Sequence, residues 1–226
     1  MDRLSWTLLL GVVLAYVPDC FAEVIAPDLA KINDGRTWQV INGESNTAVK
    51  DGKSVVRLYP KGGNKKGSNI GMALVEGLEF AYGTIEVDLR GRGKEQASFL
   101  GVAFGVADGK TYEAVYFRPF RFQSNDPVQR THAVQYIASP DHPWEKLRAL
   151  APGAYESAVN PIPDPAEWFH VRIQVAKKKV SVFVNDAKEP CLVVERIRGR
   201  EKGRVGLWVD SQPGYFADLK ILPTTP

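Results

Sequence analysis

Apolar and polar residues alternate with a period of two along most of this 226-residue chain. Between Thr84 and Arg90, for example, Ile85, Val87 and Leu89 alternate with polar neighbours, and the pattern returns from Trp168 to Val175. Successive side chains of a strand point to opposite faces, so this period is typical of β-strands with one packed face. Helical periodicity is nearly absent. The chain is therefore predicted to be all-β.

Gly, Asn, Asp and Pro separate the strand-like runs, and short strands joined by such turns are typical of an antiparallel sandwich or barrel. A Lys-rich turn joins two of the runs into a predicted hairpin. The sequence has no internal repeat and no low-complexity linker, so we expect one domain. The predicted strands are 54–59, 84–90, 98–105, 111–117, 131–137, 168–175, 180–184, 203–209 and 216–222.

The N-terminus has the three parts of a secretory signal peptide. Met1–Arg3 is a charged start, Leu8–Val17 is an apolar run, and Pro18–Ala22 ends in a small residue. The run is too short to cross a bilayer, and no later segment is long and apolar enough to do so. We therefore expect a signal peptide over residues 1–22, a single mature domain over 23–226, no membrane span and a secreted or periplasmic location.

Charge and cysteine content narrow the possible partners and the means of stabilisation. The formal net charge is only +3, and Lys177–Lys179 is the one tight basic cluster, so nucleic acid is not an expected partner. Cys191 is the only cysteine left once the signal peptide is removed. An exported domain without a disulfide must rely on its hydrophobic core, which a chain of about 200 residues can supply.

The sequence predicts no cofactor and no metal in the site. Its three histidines lack metal-ligand spacing, and no cluster of Cys and His suggests zinc. Asp108–Gly109, Asn125–Asp126 and Asn185–Asp186 offer oxygen atoms that could hold a structural calcium ion. The same pairs are typical of turns, which is their commoner role.

Five segments, taken in order, resemble strands of the concanavalin A-like lectin/glucanase superfamily, which includes laminin-G-like modules and relatives of family-16 glycoside hydrolases. The resemblance spans about Val24 to Leu222. It implies an antiparallel two-sheet β-sandwich of the concanavalin A-like jelly-roll type. The segments are Phe80–Arg90, Trp168–Ile173, Val180–Asn185, Gly203–Trp208 and Gly214–Ile221.

A narrower resemblance links the chain to bacterial exported modules described as 3-keto-disaccharide hydrolases. It is similar to them in an early Trp38 and in a Gly-rich strand, Ser98–Gly105, that leads to Arg118. The chain lacks the Asn-Ser-Gly-Ile run of that family. The resemblance therefore implies the fold and leaves the activity open.

Residues 112–118 carry the first part of a candidate site. If Val115 and Phe117 face the core, Tyr116 and Arg118 lie on the opposite, wet face of the strand. A curved wet face of a jelly roll suits sugars, because aromatic rings stack on pyranose rings while arginine and carboxylate groups bind hydroxyls. The simpler interpretation is ordinary cross-strand pairing on the surface of a sandwich.

The next strand completes the candidate site in one of two ways. It adds His132 and Tyr136, or Gln135 if the register is opposite, and the sequence does not settle which. Glu113 is expected at the edge of the patch as its one convenient acid. The predicted ligand-binding residues are Tyr116, Arg118, Arg121, His132, Gln135, Tyr136 and Trp144.

Residues 138–167 break the alternating pattern and contain six prolines. A helical turn is predicted to start at Pro143 and to run to Arg148. Connections this long inside a compact domain are usually functional or disordered. Aromatic and apolar residues such as Trp144 and Tyr155 favour a packed loop, and we expect this segment to form a lid or a wall of the binding site.

Three hypotheses remain open from the sequence. The first is an exported domain that binds or processes a saccharide or glycoconjugate on its concave face. The second is a glycoside hydrolase-like enzyme with Glu113 as acid or base and with Arg118 and His132 orienting the substrate; it requires a second carboxylate within about 5–10 Å of Glu113. The third is a structural or protein-interaction sandwich of the cell envelope.

Overall fold

The computed structural model describes residues 23–50, 53–62, 69–96 and 98–224. The predicted signal peptide, residues 1–22, lies outside these described residues. Strands dominate the described part of the chain, and its helices have at most seven residues. None of the helices in these ranges is long and apolar enough to cross a membrane.

Two seven-stranded antiparallel sheets pack face to face, which confirms the predicted all-β sandwich. The first sheet has the order β1-β4-β13-β6-β7-β8-β9 and consists of β1 (Trp38–Ile41), β4 (Ile70–Val75), β6 (Leu100–Val106), β7 (Tyr112–Phe117), β8 (Val134–Ser139), β9 (Glu156–Ser157) and β13 (Arg204–Asp210). The second sheet has the order β12-β11-β10-β5-β14-β3-β2 and consists of β2 (Gly43–Lys50), β3 (Lys53–Pro60), β5 (Gly83–Arg90), β10 (Phe169–Val175), β11 (Lys179–Val184), β12 (Leu192–Glu195) and β14 (Gly214–Pro223).

Each of the nine predicted strands is present in the structure. Five further strands, among the residues that the structure describes, were not predicted, because their sequences lack a clear alternating pattern. The strand β2 is an example: its sequence alternates weakly, and it is extended because it pairs with β3 along its whole length. The strand β4 is almost uniformly apolar, because it lies inside the first sheet between β1 and β13 and is buried on both faces. Pairing, rather than local pattern, makes these segments strands.

Short helices interrupt the strands close to the first sheet. The helix α1 (Pro127–Arg130) begins after Asp126, whose carboxylate accepts a hydrogen bond from the Val128 N–H. Since α1 and its final turn extend to residue 133, the strand predicted at 131–137 begins only at Val134. The helix α2 (Trp144–Leu150) begins one residue after the predicted start at Pro143, which is its N-cap, and ends two residues after the predicted end at Arg148.

Aromatic contacts between the sheets determine which side of each strand faces inward. Phe117 of β7 packs edge-to-face on Phe169 of β10, with ring centroids 5.3 Å apart, and Phe122 packs on Phe169 at 5.2 Å. All three rings are buried. Edge-to-face geometry adds to the free energy of simple burial. Phe117 and the residues of β7 at every second position from it therefore point into the core, while Tyr116 points outward.

An ion-pair network lies on the outer face of the second sheet. Asp88 accepts a hydrogen bond from the Lys53 ammonium at 2.5 Å, and its other oxygen lies 2.8 Å from His170 Nδ1. The hydrogen bond to Asp88 raises the pKa of His170. Burial raises the pKa of Asp88, but its bonds with His170 and Lys53 outweigh that effect and lower it to about 2.

Replacing His170 with glutamine should reduce stability more at pH 5.5 than at pH 8.5. A histidine with a raised pKa stabilises the fold below its unfolded pKa of about 6.5, and this contribution is lost as pH rises through its folded pKa. Because His170 is partly exposed, we expect a difference of about 0.5–1 kcal/mol between the two pH values. Urea unfolding of both proteins at both pH values measures it. Equal losses at pH 5.5 and 8.5 would show that His170 and Asp88 do not interact.

Candidate functional site

A concave pocket of about 480 Å³ opens on the outer side of the first sheet. We call it the outer pocket. The end of β7, the start of β6, the end of β13 and the helix α2 surround it. Its lining residues are Gln96, Phe99, Tyr116, Arg118, Phe120, Arg121, Gln129, His132, Trp144, Glu145, Arg148, Asp210, Ser211 and Gln212.

Two large rings lie side by side at the base of the outer pocket because a glycine separates them. Gly101 of β6 is the register partner of Tyr116 on one side and of Trp208 on the other. A Cβ at Gly101 would collide with the carbonyl oxygen of Val115. Without a side chain between them, the rings of Tyr116 and Trp208 meet with centroids 4.8 Å apart. The pocket therefore rests on a closely packed aromatic base.

Arg118 is the most buried charged residue in the lining, with 6% of its surface exposed. One Nη donates to the Tyr116 hydroxyl at 2.6 Å, and the other donates to the His132 carbonyl at 2.7 Å. Its guanidinium also lies over the rings of Tyr116, Trp144 and Phe99, at 4.8, 5.7 and 6.0 Å from their centroids. Burial lowers the pKa of Arg118. Cation–π contacts offset part of the cost of removing this charge from water.

The helix α2 forms one wall of the outer pocket. Trp144 and Arg148 are four residues apart, so they lie on the same face of the helix. The Arg148 guanidinium lies 4.5 Å from the centroid of the Trp144 ring, so two arginines, Arg118 and Arg148, are close to this ring. Trp144 keeps 36% of its surface exposed. An aromatic surface is therefore available to a ligand.

A buried carboxylate holds the second cationic part of the outer pocket in place. Glu156, in the two-residue strand β9, accepts two hydrogen bonds from Arg148, at 2.8 and 2.6 Å. His132 Nδ1 is buried 2.9 Å from the same carboxylate, which leaves Nε2 for contact with a ligand. Burial lowers the pKa of His132 below its usual value, against the opposing effect of Glu156. The imidazole is therefore neutral at neutral pH and can accept a proton.

Five of the seven predicted ligand-binding residues line the outer pocket, namely Tyr116, Arg118, Arg121, His132 and Trp144. The other two do not line it. The register pairs Tyr116 with Gln135, so Gln135 belongs to the outer face; it is buried there and donates to the carbonyls of Tyr136 and Tyr155. Tyr136 pairs with Val115 and points into the core.

The expected position of Glu113 at the edge of the patch is wrong. Glu113 shares its parity with Val115 and Phe117, so its side chain points between the sheets, where it is 0% exposed. There the carboxylate accepts hydrogen bonds from Arg196 Nε, at 3.0 and 3.2 Å, and from the Tyr136 hydroxyl at 2.5 Å. A carboxylate in this position cannot reach a sugar on the outer face.

The three pairs considered for calcium form ordinary local structure. Asp108 accepts hydrogen bonds from the N–H groups of Lys110 and Thr111, Asp126 caps α1, and Asn185 has a positive φ of 52° in a turn. Within the described ranges, no three or more His, Cys, Asp or Glu side chains are grouped as metal ligands. The side-chain oxygens of Asp108 and Asp126 are used by their own turns, and that of Asn185 accepts a hydrogen bond from the His170 N–H of β10.

Sequence reasoning missed Arg148, Glu156, Phe99 and Phe120 as parts of the site. Arg148 could have been predicted from the sequence, because the predicted helical turn places it one turn after Trp144 on the same face. Glu156 lies in an irregular segment whose position depends on its pairing with Val134 and Gln135. No local pattern identifies a residue that is brought into place by an edge pairing of two residues.

The sequence matches the family model of the 3-keto-alpha-glucoside-1,2-lyase-like domain over residues 29–222. The chain belongs to this family. The match covers the whole sandwich, including every element around the outer pocket. No curated protein matches the chain.

Solved structures share the fold of this lyase-like domain. The carbohydrate binding module CBM66 from Bacillus subtilis is 12% identical with a TM-score of 0.56, and the match covers 82% of this chain and 96% of that one. The exoplasmic/lumenal domain of VIP36, in a form bound to Ca²⁺ and Man, is 9% identical with a TM-score of 0.56 and 84% of each chain covered. At such low identity, these similarities establish the sandwich fold and nothing further.

Proposed function

We propose that this domain binds a saccharide in the outer pocket. The observation that carries the proposal is the partly exposed ring of Trp144, which lines a concave pocket beside the guanidinium groups of Arg118 and Arg148. Aromatic rings present flat apolar surfaces to pyranose rings, and fixed polar groups give the ligand its orientation. Membership of a family named for a glucoside lyase supports the same conclusion.

The outer pocket also argues against a purely structural sandwich. Such a domain would present a flat, evenly charged face, with the irregular segment packed away from it. Here that segment supplies Trp144, Glu145 and Arg148 to the lining, and a nearly buried arginine lies at the pocket base. Burying a charge is costly, so a cation placed in a concavity is more readily explained by a ligand than by stability.

Replacing Trp144 with alanine should weaken saccharide binding about tenfold, because the ligand loses the exposed part of the ring as a stacking surface. Binding can be measured by calorimetry, after a glycan array and a thermal-shift screen have found a ligand. Tyr59→Ala is a matched control: Tyr59 also stacks under an arginine, Arg57, but it lies on the second sheet. Equal affinity of Trp144→Ala and wild type would rule out the outer pocket as the site.

The same screen tests the proposal that calcium has a structural role. It is run once with calcium and once with a chelator, and a bound ion should raise the melting temperature by mass action. If the melting curves in calcium and in chelator are identical, both in the absence and in the presence of ligand, calcium contributes to neither folding nor binding.

Elimination from a keto sugar is a second candidate function, and the contact between His132 and Glu156 favours it. A ketone acidifies the neighbouring C–H bond, and neutral His132 can remove that proton through Nε2. The C–H electrons form the carbon–carbon double bond as the glycosidic C–O bond breaks. The leaving oxygen keeps the electron pair of the broken C–O bond and takes the proton returned by His132. Arg118 would stabilise the negative charge that develops on the ketone oxygen.

We also propose that the domain acts outside the cytoplasm, in a secreted or periplasmic location. The charged start and the apolar run before residue 23 support this. N-terminal sequencing of protein recovered from the periplasm or the medium tests it. A mature chain that starts near Glu23 is expected, and full-length protein confined to the cytoplasm would contradict it.

A further inference from the structure

Arg118 differs from the other two arginines that line the outer pocket. Two of its arginines have carboxylate partners: Arg121 binds Glu95 at 2.7 Å, and Arg148 binds Glu156. In the part of the chain that the structure describes, no carboxylate lies within 4.0 Å of Arg118. The most buried cation of the lining is therefore the one without a counter-ion.

The two acids that line the outer pocket do not supply the missing charge. Asp210 accepts hydrogen bonds from the Asn69 N–H, at 2.8 Å, and from the Ser211 hydroxyl, at 2.7 Å. Glu145 is exposed on the first turn of α2. Arg148 and Arg121 add to the positive potential around Arg118, while the Glu156 carboxylate, already bound by Arg148, partly opposes it. Among the described residues, Arg118 therefore has no carboxylate bound to it and can take one from a ligand.

Arg118 keeps hydrogen-bonding capacity for such an anion. A guanidinium has five N–H donors, and two of those of Arg118 are used by the Tyr116 hydroxyl and the His132 carbonyl. Three donors remain on a planar group that its aromatic neighbours hold in place. A carboxylate matches two of them in a bidentate pair, which is stronger and more directional than a bond to a neutral hydroxyl.

We infer that the saccharide bound in the outer pocket is acidic and that its carboxylate pairs with Arg118. This inference rests on the proposed saccharide function and specifies the class of ligand. A neutral keto glucoside would bring negative charge to Arg118 only during the reaction. A uronic acid or an aldonic acid brings it already in the bound state, where the buried cation lacks a partner.

The test compares neutral glycans with their uronate counterparts, with identical linkage and length, using calorimetry on the wild-type domain. Each neutral glycan is also matched with its 6-sulfate and with its 3-keto derivative. We expect the uronate to bind about 30-fold more tightly than the neutral glycan, and less tightly as salt rises. Arg118→Gln should remove this preference, and Trp144→Ala should weaken both ligands by the same factor. Arg57→Gln, which removes an arginine over an aromatic ring on the second sheet, should leave the preference for the uronate unchanged.

The possible outcomes separate this inference from the proposed function. Equal affinity for neutral and acidic glycans would overturn the acidic ligand and leave saccharide binding intact. Preference for the sulfate or for the 3-keto derivative would overturn the carboxylate in particular. Failure of all four ligand series to bind would overturn the proposed function together with the inference. If Arg118→Gln does not fold, the wild-type preference and its salt dependence still decide the question.

Discussion

Replacing Glu113 with alanine is expected to lower the free energy of unfolding by about 3–5 kcal/mol. Both Glu113 and Arg196 have fully buried side chains, and within the described ranges the Glu113 carboxylate is the one anion that Arg196 contacts. Without it, a guanidinium would remain in the core with only the carbonyl oxygens of Ala81, Ala176 and Arg200 as acceptors. An unpaired buried charge is among the costliest defects that a single substitution can create.

Urea unfolding of the mature domain measures this effect. Glu79→Ala is the matched control, because Glu79 forms an ion pair with Lys202 in which both side chains are largely exposed; we expect less than about 1 kcal/mol there. The double variant Glu113→Leu/Arg196→Met should recover most of the loss, since it removes both charges at similar volume. A loss below about 1 kcal/mol for Glu113→Ala would mean that water reaches the pair.

Replacing His132 with glutamine is expected to lower the rate of keto-sugar elimination by about 100- to 10,000-fold, the usual contribution of a general base. Glutamine retains hydrogen bonding but cannot accept a proton at neutral pH. The contacts of Trp144 and Arg118 with the sugar do not depend on proton transfer, so KM should change much less than kcat. Stopped assays on a 3-keto glucoside and on its acidic counterpart measure both constants.

The pH dependence of elimination provides a second readout for His132. Because burial lowers the pKa of His132, the base stays active below pH 6.5, and the rate should fall only at more acidic pH. Glu156→Gln should shift this acidic fall in rate to still lower pH, because the Glu156 carboxylate raises the pKa of His132 and the glutamine does not. His170→Gln is the control: it alters a histidine on the opposite sheet and should change neither kcat nor its pH limb. A full rate in His132→Gln would eliminate His132 as the base.

Alternation was sufficient to predict the strands that pack on one face only. The strand β5 alternates inside and outside, and its limits fall within one residue of the prediction. Such patterns follow from burial against a single core, which the sequence records directly. The alternating pattern was insufficient for β2 and β9, which are strands because a neighbouring strand pairs with them.

The alternation of inward and outward side chains along β7 explains why Tyr116 and Arg118 were placed correctly and why Glu113 was not. The outward positions of Tyr116 and Arg118 follow from the inward positions of Val115 and Phe117. The same rule places Glu113 inside, and its expected position at the patch edge conflicted with it. An acidic residue in the core is improbable without a partner, and that partner, Arg196, comes from a loop far along the chain.

The sequence by itself determined the all-β class, the faces of the main strands and the residue types available to the outer pocket. These properties depend on local periodicity and on side-chain chemistry, which short segments contain in full. Only the tertiary structure decided that Glu156 holds Arg148 and His132, and that Arg196 neutralises Glu113. It also decided that none of the described carboxylates pairs with Arg118. Such pairings depend on which distant segments pack together, and this is set by the burial of the whole core rather than by any one strand.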